Sequence, residues 1–191
     1  MYKNFYILII NMKKIIYLLI LISSITIFNG CLVSERISYI VNLETPTSGN
    51  VDVNLYNIKS NAIGTREFDD DKKNLFEFAL KDTNLIIQLE SEGKFITHRS
   101  LNVNKDQLNA KVLYNFKDIT KVEGIRYEDG FYYLTMALDD SLISTNGKLI
   151  ISKEYKRILW DKNYKQLIFE MYSSGFDNNT YKGLASFYYK N

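Results

Sequence analysis

From Lys94 onward the chain is a succession of short runs in which apolar and polar residues alternate, cut by residues that favour tight turns. Leu101 and Val103 alternate before Asn104-Lys105-Asp106, and Leu108, Ala110, Val112, Tyr114 and Phe116 alternate after it, which is the pattern of a β-hairpin. Asp129-Gly130 and Asn146-Gly147 mark two more turns, because Gly, Asn and Asp tolerate the positive φ that hairpin turns demand. Residues 131–138 (FYYLTMAL) are apolar on both faces, as in a central strand covered from two sides. Helices and the tail 175–191 are the expected covers, with a bound apolar ligand or partner as the alternative. Residues 149–151, 158–160 and 167–172 complete the sheet, with 161–165 as a polar turn. The segment 181–189 reads as a short terminal helix or an edge strand.

Upstream, Ile37, Tyr39 and Val41 alternate with polar neighbours, and Val51, Val53 and Leu55 do so after the turn 45–50, so these strands form a hairpin. Asp69, Asp70 and Asp71 precede Leu75, Phe76, Ala79 and Leu80, which share one helical face, and three carboxylates suit the positive end of that helix. A second helix is expected over 82–92, with Leu85, Ile86 and Leu89 inward and Gly93 as its stop, and a strand is the alternative for this segment. The order of elements predicts an α+β fold: an antiparallel β-sheet meander with two short helices packed on one face, after an N-terminal signal segment.

That segment begins at Met12. Lys13 and Lys14 are followed by a nearly continuous apolar run at 15–28, then by Asn29, Gly30 and Cys31. A charged start, an apolar middle and a small-residue end make a secretory signal peptide. The run has 14 residues, whereas crossing a bilayer takes about 20. Phe28-Asn29-Gly30-Cys31 resembles the four-residue box that ends the signals of bacterial lipoproteins, with Phe28 in place of the commoner Leu and Asn29 in place of Ala or Ser. The resemblance implies cleavage between Gly30 and Cys31, a diacylglyceryl group on the Cys31 thiol and, in most such proteins, acylation of the new amino terminus. It covers the leader alone. Residues 1–30 are then a signal peptide, with translation starting at Met1 or at Met12, and residues 31–191 form a single lipid-anchored domain. Leu32 follows the modified residue. In lipoproteins an Asp there often retains the protein in the inner membrane, so its absence favours the outer membrane where the cell has one.

Removing the leader changes the charge argument. Lys3, Lys13 and Lys14 leave with it, so 24 basic residues become 21 against 22 acidic. No dense basic run remains to neutralise phosphates, and nucleic acid is excluded as a partner. The chain has one cysteine. With that thiol in the anchor, no disulfide or thiolate metal site can hold the fold, and stability must come from apolar burial.

Chemistry-bearing groups are sparse. His98 is the only histidine, no nucleophile elbow accompanies it, and a lone strand histidine reads as a surface or structural residue. Asp69–71 lack the alternation, central Gly and closing Glu of a calcium loop. Asp139, Asp140 and Glu170 are the carboxylates that could perform paired acid and base work, but neighbouring strand residues point to opposite faces. Trp160, with Tyr155, Tyr164 and Tyr172, could form an aromatic platform, although Trp160 fits a core better. No catalytic residue, cofactor or metal is assigned. The expected function is that of a non-catalytic lipid-anchored cell-envelope lipoprotein, in the cell membrane or outer membrane with its domain outside the cytoplasm. Its partners are the membrane, through the anchor, and an envelope protein or a hydrophobic ligand that it binds or scaffolds. Two alternatives are a carrier of a lipid or other hydrophobic molecule, which requires a cavity of at least about 300 Å³ between sheet and helices, and a carboxylate-based hydrolase.

Overall fold

The computed structural model describes residues 32–173 and 175–188. The signal peptide, the cleavage site after Gly30 and Cys31 lie outside the described residues, which all belong to one unit, Cys31–Asn191. In chain order the elements are β1 (Leu32–Val33), β2 (Arg36–Leu43), β3 (Gly49–Tyr56) and β4 (Lys59–Ser60). A helical stretch follows: α1 (Thr65–Lys73), a π-helical segment (Asn74–Ala79) and α2 (Thr83–Ser91). Next come β5 (Lys94–Asn104), β6 (Gln107–Phe116), a 3₁₀ turn (Ile119–Lys121), β7 (Arg126–Glu128) and β8 (Phe131–Met136). The chain ends with β9 (Ser141–Thr145), β10 (Lys148–Ile151), β11 (Lys156–Asp161), β12 (Gln166–Tyr172), β13 (Lys182–Gly183) and α3 (Ala185–Tyr188). The fold is α+β, and every strand pairing among the described residues is antiparallel.

The largest sheet has six strands in the order β5-β6-β3-β2-β12-β9. Its register sets Val41 opposite Val51 and Leu167, and Tyr39 opposite Val53 and Phe169. Opposed residues share a face, so one face is apolar from β5 to β12. The other face carries polar pairs, including Lys111 with Asp52 at 2.6 Å and Arg36 with Glu170 at 2.6 Å. A four-stranded sheet, β10-β11-β8-β7, covers one end of the apolar face. There Tyr132, Leu134, Met136, Ile158 and Trp160 join Val41, Val51, Leu167 and Phe169 in one core. The other end of the face, around Leu101 and Leu108, packs against Leu75, Phe76, Leu184 and Ala185 of the helical layer. A three-stranded sheet, β1-β4-β13, borders that layer.

The hairpins expected at 37–55, 101–116 and around Asp129-Gly130 form as predicted. The single meander does not, because the chain passes repeatedly between two sheets, and Asn146-Gly147 makes one of these crossings. This pair leads the chain out of the six-stranded sheet at β9 and into the four-stranded sheet at β10. The Asn146 side-chain oxygen accepts hydrogen bonds from Trp160 Nε1 at 2.7 Å and from the Ile168 backbone N–H at 2.9 Å, so one amide joins the two sheets. A side chain at position 147 would place its Cβ 2.6 Å from Trp160 Nε1, which leaves room only for glycine.

Three local expectations need correction. Strand β8 is buried on one face only: Tyr132, Leu134 and Met136 point inward, while Phe131 is 43% exposed. Its outer Tyr133 is covered by the Arg157 guanidinium at 4.6 Å, which also lies 4.7 Å from the Tyr155 ring, and not by helices or the tail. The acidic triplet does not open α1, which begins four residues earlier after Gly64 and has Glu67 in its first turn. Asp71 is buried instead and accepts a 2.6 Å hydrogen bond from Ser60 Oγ. The second helix matches its expected span, with the Asp82 side chain capping the Asn84 N–H at 2.7 Å and Gly93 ending it at φ +89°. The tail supplies both expected elements, β13 and α3. No helix among the described residues is long and apolar enough to cross a membrane.

The first core also sets a pH response. Burial raises the Tyr39 and Tyr114 hydroxyls well above the usual tyrosine value, and the nearby Glu123 carboxylate adds to the effect. The folded protein therefore keeps protons that the unfolded chain releases above about pH 10. This contribution to stability is complete below that pH and declines above it. Urea midpoints measured from about pH 8 to about pH 11 should fall steeply at the upper end, and less steeply in Tyr114→Phe, which has one fewer ionisable hydroxyl.

Candidate functional site

Between the two cores, the apolar face of the large sheet is left uncovered by direct packing, and a cavity of about 500 Å³ lies there. Its floor is made by Leu55, Leu101, Ala110 and Val112, on adjacent strands of the six-stranded sheet. Its roof comes from Leu75, Ala79 and Leu80, at and just beyond the π-helical segment. Space remains because small side chains, Ala110 and Ala79, contribute to floor and roof. The wider π turn is rare and recurs at functional sites. Leu32 and Val33, the first described residues, form part of the wall.

Two cations belong to residues around this space, and the fold treats them differently. The Lys111 ammonium is turned away to Asp52 on the outer face of the sheet. Arg99 faces inward, since it sits opposite Val112 on the apolar side. Its Nη1 donates to the Ala79 carbonyl and its Nη2 to the Asp82 carbonyl, each at 2.9 Å, so the guanidinium ties β5 to the end of the helical roof. Among the described residues it forms no ion pair. The Ser34 and Ser173 hydroxyls, also on the wall, lie 3.4 Å apart and engage each other.

The residues weighed for catalysis are placed elsewhere. His98 is exposed on β5, with Nε2 3.0 Å from Ser100 Oγ. Asp140 accepts the Ala137 N–H at 2.7 Å in the loop after β8, with exposed Asp139 beside it. Glu170 is held by Arg36 on β12. The structure thus ties these groups to separate partners. Among the described residues no group of three or more His, Cys, Asp or Glu side chains is placed to hold a metal ion. Trp160 is 1% exposed and belongs to the core, while Tyr155 lies on the outer face of the four-stranded sheet and Tyr172 is 49% exposed. Tyr164 is partly buried against the first core, so the four aromatic residues form no common exposed platform.

A carrier's minimum cavity size follows from its ligand, but neither the position of the cavity nor the role of Arg99 is legible in the local sequence. The available signal was a cation at an inward position of β5, two residues before Leu101. Alternation places Arg99 in phase with Leu101 and Val103, but the carbonyls that hold its guanidinium come from the helical segment, and that contact exists only once the helices pack on the sheet. Comparison with protein-family profiles, curated proteins and solved structures finds no match for this chain.

Proposed function

We propose that this protein is a non-catalytic, lipid-anchored lipoprotein of the cell envelope, and that its domain takes one apolar chain into the cavity beneath the helical roof. The cavity carries the reading. At about 500 Å³ it exceeds what the carrier alternative requires, and its floor and roof are aliphatic. The site is partly open to solvent; for scale, an enclosed apolar cavity of about 150 Å³ holds a six-carbon ring. Scaled by volume, this one has room for on the order of twenty carbons, one acyl chain. For this reason the carrier alternative is preferred to protein scaffolding, and the separate engagement of Asp140, Glu170 and His98 favours binding over hydrolysis.

The anchor and the cavity support each other. Consecutive Cα atoms are about 3.8 Å apart, so the residue proposed to carry the diacylglyceryl group adjoins Leu32, which lines the site. A tether there holds the binding site at the membrane surface, and two acyl chains suffice for stable attachment. The direct test is mass analysis of the first tryptic peptide from full-length protein isolated from native membranes. It should begin at Cys31 and carry the diacylglyceryl mass, and Cys31→Ser should abolish that modification. An unmodified peptide running across Gly30 would overturn the anchor.

A further inference from the structure

We infer that the chain bound in the cavity is that of a fatty acid, and that its carboxylate is recognised by Arg99. The inference rests on the proposed binding role of the cavity and names its ligand class.

A guanidinium has five N–H donors in a planar fork. Arg99 uses two contacts, to the Ala79 and Asp82 carbonyls, and none of its other donors has a partner among the described residues. The half-buried position of this cation, beside an aliphatic floor and roof, costs hydration that an anion would restore. Among the described residues none is paired with it. The nearest acidic residue in these contacts, Asp82, offers Arg99 its carbonyl, while its carboxylate caps the Asn84 N–H. Lys111 is neutralised on the other face by Asp52. Among the described residues the site therefore has one cation without an ion pair beside an aliphatic volume.

Those two features select the ligand. The volume suits one acyl chain, not the two of a phospholipid, and a single cation matches a single negative charge. A carboxylate presents two oxygens in one plane, the shape that the guanidinium fork receives best. The two carbonyl contacts hold that fork in place before the ligand arrives, which reduces the ordering cost of binding.

The test uses full-length protein in lipid nanodiscs, labelled in turn with hexadecanoic acid and hexadecanol that carry the same photoactivatable diazirine near the chain end. Adducts are located by peptide mass analysis. In wild type, the acid should label peptides containing Leu75 or Leu101 about tenfold or more in excess of the alcohol, and unlabelled hexadecanoate should compete. Arg99→Met should lose that excess while still taking up the alcohol. Equal labelling by acid and alcohol in wild type, or an acid preference that persists in Arg99→Met, would overturn the role of Arg99 and leave the cavity as an apolar site. Absence of adducts on the wall peptides with either probe would overturn both readings. Should Arg99→Met take up neither probe, Arg99→Lys decides: a retained acid preference supports the inference, and its loss overturns it.

Discussion

Replacing Trp160 with alanine should destabilise the domain by about 4 kcal/mol, near the middle of the range for removing a large aromatic from a packed core. Trp160 is 1% exposed, packs 6.2 Å from the Phe169 ring across the sheet interface, and donates its indole N–H to Asn146. Truncation would therefore empty the centre of the first core and remove one of the two donors on the amide that joins the sheets. For a domain of this length each kcal/mol lowers the melting temperature by about 2–4 °C, so the fall should be on the order of 10 °C. Trp160→Phe separates the two contributions, because it retains most of the ring volume but not the N–H. Its cost should be about 1–2 kcal/mol, the scale of one hydrogen bond plus minor repacking. As this is the chain's only tryptophan, unfolding is best followed by far-ultraviolet circular dichroism. Equal losses in the two variants would show that the bridge to Asn146, and not the packing, dominates.

Ala110→Phe should act in opposite directions on stability and binding. Ala110 lies on the cavity floor, paired with Leu55 on one side and Leu101 on the other. A phenyl ring there enters empty space, and cavity filling commonly adds about 0.5–2 kcal/mol to stability. The same ring occupies the volume an acyl chain needs, so labelling of the cavity by an apolar photoprobe should be lost. Ala110 is a better choice than Ala79 because a residue inside the sheet cannot move aside as the π-helical roof can. Labelling at the wild-type level in Ala110→Phe would place the ligand elsewhere. A loss of stability by about 1–3 kcal/mol, the usual cost of overpacking, would show that the space is too tight for a ring.

Local chemistry could be read directly from the residues. Alternation at 37–43 and 51–55 made two strands, Asn104-Lys105-Asp106 and Asp129-Gly130 turned hairpins through positive φ at Lys105, Asp106, Asp129 and Gly130, and Asp82 with Gly93 bounded a helix. Each of these depends on neighbours within a few positions. The acidic triplet departs from its local expectation for the same reason: its charge suits a helix start, but Ser60 captures Asp71, and that contact exists only once β4 and α1 meet. Alternation along β8 likewise indicates which residues share a face, and is silent on whether a helix, a sheet or one arginine covers it.

What the sequence determined by itself is the antiparallel α+β character of the chain, most of its strands and turns, and the placing of Trp160 in the core, since backbone sterics and the two-residue period of a strand act over short distances. The tertiary structure alone decided how the strands divide into separate sheets, that Asn146 joins two of them, and that about 500 Å³ stays open beside Arg99. The physical reason is that a cavity is the difference between large packed volumes contributed by segments distant in the chain, and an unmatched charge is defined by every group that comes near it. Neither quantity belongs to any one stretch of residues.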